Sequence, residues 1–319
     1  MNKAAAKIDQ ITHKPVLLKE SVEYLRPMED GIYVDATVGL GSHTRLMLER
    51  SNYKSRIIAL DVDEEALAIT RQRLSQFKNQ VQLVNKNFSD IDSAVLDFGI
   101  EEVDGILADL GMSSYQLEHS KRGFSFLNSE PLDMRMDPHL QSTAFDLLNE
   151  MTEEEINGVL RDYGEERFSK RISKSIVNTR KDKPLQTSYE LAALISDSIP
   201  RKFHPKKIHP ATKSFQALRI AVNNELENLK IFIEKSVRLL KSGGRLVIIS
   251  FHSLEDRIVK NYFKKFNTSC ICPPDLPVCR CNKVRMLKIL TKSPVKPGHD
   301  EILENPRSRS SKMRVGERI

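Results

Sequence analysis

The chain has 319 residues, 39% hydrophobic and 29% charged, enough for two ordinary domains or one α/β domain with a large insertion, which excludes a peptide-sized or staple-dependent fold. No apolar run approaches the roughly 18 to 20 residues that cross a bilayer, and Met1 to Gln10 lacks the apolar block of a secretory signal, so the expected location is the cytoplasm with no membrane partner. Fifty Lys and Arg against 43 Asp and Glu leave +7, a balance that favours polyanionic partners only weakly.

In chain order, Gly31 to Val38, Ser55 to Val62, Val81 to Phe88 and Val103 to Leu110 are apolar and β-branched and read as strands. Between them, Glu64 to Gln76 places Ala66, Leu67, Ile69, Thr70 and Leu74 near one helix face. Such alternation predicts parallel strands joined by right-handed crossover helices. After Gly111 the pattern stops, and Met112 to Thr212 carries only helix candidates: Thr152 to Asp162, Phe168 to Thr179 and Ser188 to Ser198, the first opened by a Thr152/Glu155 capping box. A long helical stretch from Ser214 to Leu240 and a Ser242-Gly243-Gly244 turn lead into a further strand, Gly244 to Phe251. Lys283 to Leu290 and Ser311 to Arg318 are candidate edge strands. The expected organisation is an α/β domain in two parts, 1–111 and 213–319, interrupted by an all-helical domain, 112–212.

Asp35 to Thr44 follows the first strand and carries Gly39 and Gly41, which allow a tight turn and close ligand approach at a helix start. A G-x-G alone is a weak signal, but Asp61 ends the second strand, where a carboxylate can accept hydrogen bonds from ribose hydroxyls. The third glycine of the dinucleotide fingerprint is replaced by Thr44, and the acid Asp35 stands beside the turn. A pyrophosphate is poorly served by that carboxylate and the ammonium of a methionine moiety is well served, so S-adenosylmethionine fits better than NAD. Phe88, closing the third strand, is either an adenine contact or simple core, and Asp109, closing the fourth, sits where open α/β sheets bind ligands.

His13 to Glu20, Asp109-Leu110-Gly111-Met112-Ser113-Ser114-Tyr115-Gln116-Leu117, Arg122 to Phe126, Pro131 to Asp137, Ser250 to Arg257 and Asn305 to Ser310 together closely resemble the RsmH (MraW) family of bacterial methyltransferases. The resemblance implies a class I S-adenosylmethionine-dependent, Rossmann-like methyltransferase fold with an inserted all-helical domain for substrate recognition. It implies methylation of a cytidine of 16S ribosomal RNA at N4, near the decoding centre of the small ribosomal subunit. Carried over by motif, the cofactor residues are Gly41, Ser42, His43, Asp61, Phe88, Asp109 and Gln116, alongside Gly39 of the turn. Where the family usually has Gly-Gly-His this chain has Gly41-Ser42-His43, and a positive φ at 42 would strain the serine. Ser129-Glu130-Pro131 likewise stands where Asp-Gly-Pro is usual.

An exocyclic amine whose lone pair is delocalised into the ring must be aligned with the methyl group and given a hydrogen-bond acceptor as positive charge develops. Asp109 is the first candidate for that acceptor, with His252 and Ser253 as contacts to base or ribose. The loop from Arg122 to Asp137 brings Phe126, Asp133, Arg135 and Asp137, either to clamp an extruded cytidine or as a packed lid. Arg167, Lys170, Arg171, Lys174 and Lys181 share a helix face opposite Phe168, Ile172 and Ile176, and Arg201, Lys202, Lys206, Lys207 and Lys213 form a second basic cluster suited to RNA phosphates. Cys270, Cys272, Cys279 and Cys281 form one local group. They can hold zinc, although C-x-C leaves little room for a tetrahedral grip, and no metal ligand is assigned. A silent rRNA-binding factor on the same fold is the alternative, and homo-oligomerisation is left open.

Overall fold

The computed structural model describes residues 14–112, 116–117, 120–272 and 280–319. The chain divides into two compact units, Met1–Gly111 with Leu226–Ile319, and Met112–Glu225.

The first unit begins with α1 (Leu18–Leu25), β1 (Ile32–Asp35), α2 (Ser42–Arg50), β2 (Arg56–Asp61), α3 (Glu64–Arg73), β3 (Val81–Asn85), α4 (Ile91–Leu96) and β4 (Val103–Asp109). The expected third strand is shorter than read: it stops at Asn85, and Phe88 instead opens a 3-10 turn whose Ser89 N–H is capped by Asn87 Oδ1 at 2.9 Å. The helix expected over Glu64 to Gln76 buries Ala66, Leu67 and Thr70, as its spacing requires.

The second unit is helical: α5 (Ala144–Glu150), α6 (Glu153–Gly164), α7 (Ser169–Asp182), α8 (Ser188–Ser198) and α9 (Thr212–Asn223). Thr143/Asp146, Thr152/Glu155 and Thr187/Glu190 are full capping boxes at the starts of α5, α6 and α8, so backbone donors that a helix leaves unmatched are satisfied locally. Leu148, Ile156, Leu160, Ile172, Ile176, Leu191, Ile195 and Leu218 build its core.

The chain then returns to the first unit through α10 (Glu225–Leu239), β5 (Leu240–Ser250), α11 (Ser253–Asn267), β6 (Leu287–Ile289), α12 (His299–Glu304) and β7 (Lys312–Arg318). The single helix expected over Ser214 to Leu240 is two, because Asn224 adopts φ 49°, a left-handed conformation that asparagine tolerates and that ends α9. The unit boundary lies there, at Glu225, rather than at 212: α9 packs on α6, with Phe215 and Leu218 in the helical core.

The sheet has the order β3-β2-β1-β4-β5-β7-β6. Its first five strands are parallel, and β7 runs antiparallel between β5 and β6. Ser311 to Arg318 is therefore an interior strand, and β6 forms the edge. Both faces are covered: Val34, Ile58, Ile106 and Ile248 meet Phe232 and Val237 on one, while Tyr33, Ile57, Leu107 and Val247 meet Leu48 and Leu25 on the other. Double coverage explains the near-continuous apolar strands. From β1 the sheet grows one way through β2 and the other way through β4, so the crevice outside the carboxyl ends of β1 and β4 is the topological switch point, where such sheets bind ligands. Among the described residues no helix is long and apolar enough to cross a membrane.

Gly123, in the second unit, has φ +75°, and a Cβ there would stand 2.2 Å from the carbonyl oxygen of Pro131. Gly123→Ala combines a strained backbone with a clash against main chain, and should destabilise the protein by at least about 2 kcal/mol. Urea unfolding measures the loss; wild-type stability would show that the loop does not hold this contact.

Candidate active site

Three adjacent parallel strands, β2, β1 and β4, each end on an aspartate: Asp61, Asp35 and Asp109. Between β1 and α2 the chain turns through Gly39 (φ +50°) and Gly41 (φ +80°). Asp61 fixes this turn by accepting from the N–H of Gly39 at 2.9 Å and from the N–H of Asp63 at 3.0 Å. Thr70 Oγ1 of α3 donates to the Gly39 carbonyl at 2.5 Å. A Cβ on Gly41 would lie 3.1 Å from both Thr70 and Leu74, so close packing as well as its φ requires glycine. Ser42 is the first residue of α2 and has no positive φ; the left-handed residue is its neighbour Gly41, so the strain expected at Ser42 is absent. His43, buried in the first turn of α2, follows it.

Asp35 is wholly buried and accepts from Thr44 Oγ1 at 2.6 Å and from the Thr37 N–H at 3.4 Å. Thr37 Oγ1 in turn accepts from the Asp109 N–H at 2.7 Å. The Asp109 side chain is supported differently: its Oδ1 is buried and has no hydrogen-bond partner. Burial first, and then the nearby charges of Asp35, Glu255 and Glu301, push the Asp109 carboxyl well above the usual carboxylate range. Burial also lifts Asp35 to about 6, against the hydrogen bonds from Thr44 and Thr37, and Asp61 to about 6, against those from Asp63 and Gly39.

Glu255 and Glu301 had no assigned role in the sequence reading. Glu255 is the third residue of α11, buried, and accepts from the N–H groups of Phe251 at 2.8 Å and His252 at 3.2 Å. His252 caps that helix, its Nδ1 accepting from the Glu255 N–H at 3.4 Å and its Nε2 lying 3.2 Å from Glu255 Oε1. The His-x-x-Glu spacing is a capping-box signal legible in sequence. Glu301, on α12, accepts from the Leu17 N–H at 2.9 Å, a pairing between distant parts of the chain that no local pattern announces. Ser253 starts α11. Phe88 packs edge-on against Phe232 with centroids 5.3 Å apart, so part of its ring is core.

The remaining candidates lie in the second unit. Phe126 stacks on His209 at 4.5 Å and meets Phe215 edge-on at 5.2 Å. Arg135 grips Asp133 bidentately at 2.8 and 2.9 Å and donates to the carbonyls of Pro138 and Leu140, while Arg122 donates to those of Arg135 and Met136. Asp137 accepts from the His139 N–H at 2.8 Å. These contacts tie parts of 122–140 to one another, and Asn223, Gln186 and Ser188 of the same unit hold more of its backbone. Gln116 is buried, and Ser113, Ser114 and Tyr115 of its motif lie outside the described residues. On α7 the basic side chains are exposed opposite buried Ile172 and Ile176, and Arg167 and Lys202 sit over the half-exposed Phe203 ring at 5.2 and 5.1 Å.

In the first unit, Cys270, Cys272 and Cys281 bring their sulfurs within 4.8 Å of one another. Cys279 lies outside the described residues.

What the crevice can hold follows from its chemistry. Carboxylates gathered at the switch point favour a cation, the unmatched Asp109 Oδ1 calls for a donor, and a Cβ on Gly39 would meet no atom within 4 Å, leaving its backbone approachable. A doubly covered sheet of this order, with one antiparallel strand near its edge, is the class I S-adenosylmethionine-dependent methyltransferase fold, and its crevice fits that cofactor's cation. The chain belongs to the MraW methylase family, whose sequence model matches residues 10–319. It is 50% identical over 308 residues to the ribosomal RNA small subunit methyltransferase H of Caldicellulosiruptor bescii, covering 96% of this chain and 99% of that relative. The protein of the same name from Halothermothrix orenii is 47% identical, with 97% and 99% covered.

The raised Asp109 carboxyl makes a stability prediction. Its folded-state proton affinity exceeds that of the unfolded chain, so ionisation costs stability at neutral pH and not at pH values below the ordinary carboxylate range. Asp109→Asn should raise the Tm of the ligand-free protein near neutral pH, and the gain should shrink on acidification. Equal melting of the two proteins at neutral pH would show that the carboxylate is not held against its charge.

Proposed function

We propose that this protein transfers a methyl group from S-adenosylmethionine to N4 of a cytidine in 16S rRNA of the small ribosomal subunit, near the decoding centre, and works in the cytoplasm. The observation that carries this reading is Asp109: a buried carboxylate oxygen without a partner, at the switch point of a methylase-family fold. The relatives' names support rRNA of the small subunit as substrate. N4 as target rests on the family resemblance and on the fit of Asp109 to an amine.

When bound, S-adenosylmethionine supplies an electrophilic methyl group on a sulfonium. Asp61 accepts from the ribose hydroxyls with the acceptor capacity that its two backbone bonds leave, while Gly39, Gly41 and Ser42 present the turn and His43 and Gln116 complete the cofactor contacts. Phe88 offers its free edge to the adenine. Asp35, Asp109, Glu255 and Glu301 set a negative potential that holds the cation in the crevice. Asp109 Oδ1 would accept one N4–H of the cytosine. The Asp109 carboxylate would stabilise positive charge developing on N4 and take up the N4 proton. The high proton affinity of Asp109 suits that last step.

His252 and Ser253, fixed in the first turn of α11, contact the base or ribose. The hydrogen-bonded loop with Phe126, Asp133, Arg135 and Asp137 gives the helical unit a surface for the RNA. The exposed basic residues of α7 and of 201–213, interleaved with Phe168 and Phe203, supply phosphate contacts.

The test follows labelled methyl groups into small subunits from a strain lacking the enzyme, with nucleosides identified by mass spectrometry. The product should be N4-methylcytidine. At saturating cofactor Asp109→Ala should lose about 100-fold or more in turnover, whereas Lys206→Glu with Lys207→Glu should weaken subunit binding and flatten its salt dependence, leaving cofactor affinity intact. A product methylated on C5 or ribose would reject the target assignment, and near-normal turnover of Asp109→Ala would reject its role.

A further inference from the structure

The cysteine group lies at the neck of a loop outside the methyl-transfer chemistry. The loop leaves α11 at Asn267 and returns to β6 at Leu287, and its base is closed by Met286 N–H to the Phe266 carbonyl at 2.9 Å and by Arg285 Nη2 to Asn267 Oδ1 at 2.7 Å. Among its described residues, Ile271 is 67% exposed and Val284 74%. At its neck the sulfurs of Cys270 and Cys281 stand 3.9 Å apart, and all three described sulfurs fall within 4.8 Å. A disulfide needs sulfurs about 2 Å apart. Thiolates on one tetrahedral zinc, at Zn–S bonds of about 2.3 Å, stand about 3.8 Å apart.

The backbone around the sulfurs is arranged to match. Cys270 Sγ accepts from the Cys272 N–H at 3.4 Å, Cys281 Sγ from the Ile271 N–H at 3.5 Å and Cys272 Sγ from the Arg280 N–H at 3.4 Å. Each sulfur thus receives an N–H donor that fixes its position. Arg280, Lys283 and Arg285 add positive charge along the same segment, offsetting the excess of three thiolates over one divalent ion.

We propose that Cys270, Cys272 and Cys281 bind one zinc ion that cross-links the two arms of this loop, a structural site separate from the methyltransferase crevice. On binding, the three thiols lose their protons and three Zn–S bonds form, with no change of oxidation state. The ion supplies a cross-link where the described apolar side chains, Ile271 and Val284, are exposed.

The test uses the untagged full chain purified under reductant. Elemental analysis should find about one zinc per chain, and the Cys270→Ser, Cys272→Ser, Cys281→Ser triple variant should fall below about a tenth of that. Cobalt exchanged into the wild type should develop thiolate-to-metal charge-transfer absorption. Because the triple variant can misfold, the wild type provides a second readout: zinc should slow alkylation of these cysteines at least about 10-fold, and a chelator should reverse it. Zinc content equal in wild type and variant, alkylation indifferent to zinc, or a Cys270–Cys281 disulfide in the freshly purified protein would each overturn the proposal.

Discussion

Like charges gathered out of water constrain the catalytic unit. Burial raises the proton affinity of Asp35 and Asp109 at the carboxyl ends of the strands, and nearby carboxylates raise it further, Asp61 for Asp35 and Asp35, Glu255 and Glu301 for Asp109. At about 6 against an ordinary value near 3.8, Asp35 disfavours its charged form by roughly 3 kcal/mol. The folded chain binds more protons than the unfolded one between about pH 4 and pH 6, so these groups withdraw stability as pH rises across that window. Such an arrangement is tolerable because the surrounding fold is rigid: Thr44, Thr37 and the backbone of the glycine turn supply fixed donors. It becomes favourable when a cation enters.

The same constraint accounts for the economy of the crevice. Asp61 both shapes the turn and keeps acceptor capacity for a ligand, and Asp109 is held through its backbone N–H by Thr37 while its Oδ1 stays unmatched. A carboxylate restrained in position but unsatisfied in hydrogen bonding is suited to an amine that gains charge only during reaction. In the chain, the helical unit follows β4 almost directly after Asp109, so a basic helical element is attached to this strand end without adding a strand.

Much of this was legible in the sequence, for physical reasons that differ by element. Strand ends at Asp61 and Asp109 could be read because a polar acid terminates a doubly buried apolar run, and α6 because Thr152 to Glu155 forms a local capping box. The break at Asn224 could not, since the apolar spacing continues from α9 into α10 and only a left-handed backbone separates them. Phe88 was placed at a strand end because its β-propensity prolongs the pattern that Asn87 interrupts by capping a turn. The pairing of Glu301 with Leu17 and the interior position of β7 depend on chain ends meeting in space, which periodicity does not encode. The cysteine spacing gave the ligand types but not their convergence.

The most direct measurement is the pH dependence of S-adenosylmethionine binding, by calorimetry from about pH 7.5 down to about pH 5, on wild type and Asp109→Asn. Protons compete with a bound cation for the raised carboxylates, so wild-type affinity should fall on acidification through about pH 6, with protons released on binding. Asp109→Asn should bind more weakly at neutral pH and release fewer protons. Affinity independent of pH, with no proton release in either protein, would contradict a crevice built on buried carboxylates that await a cation.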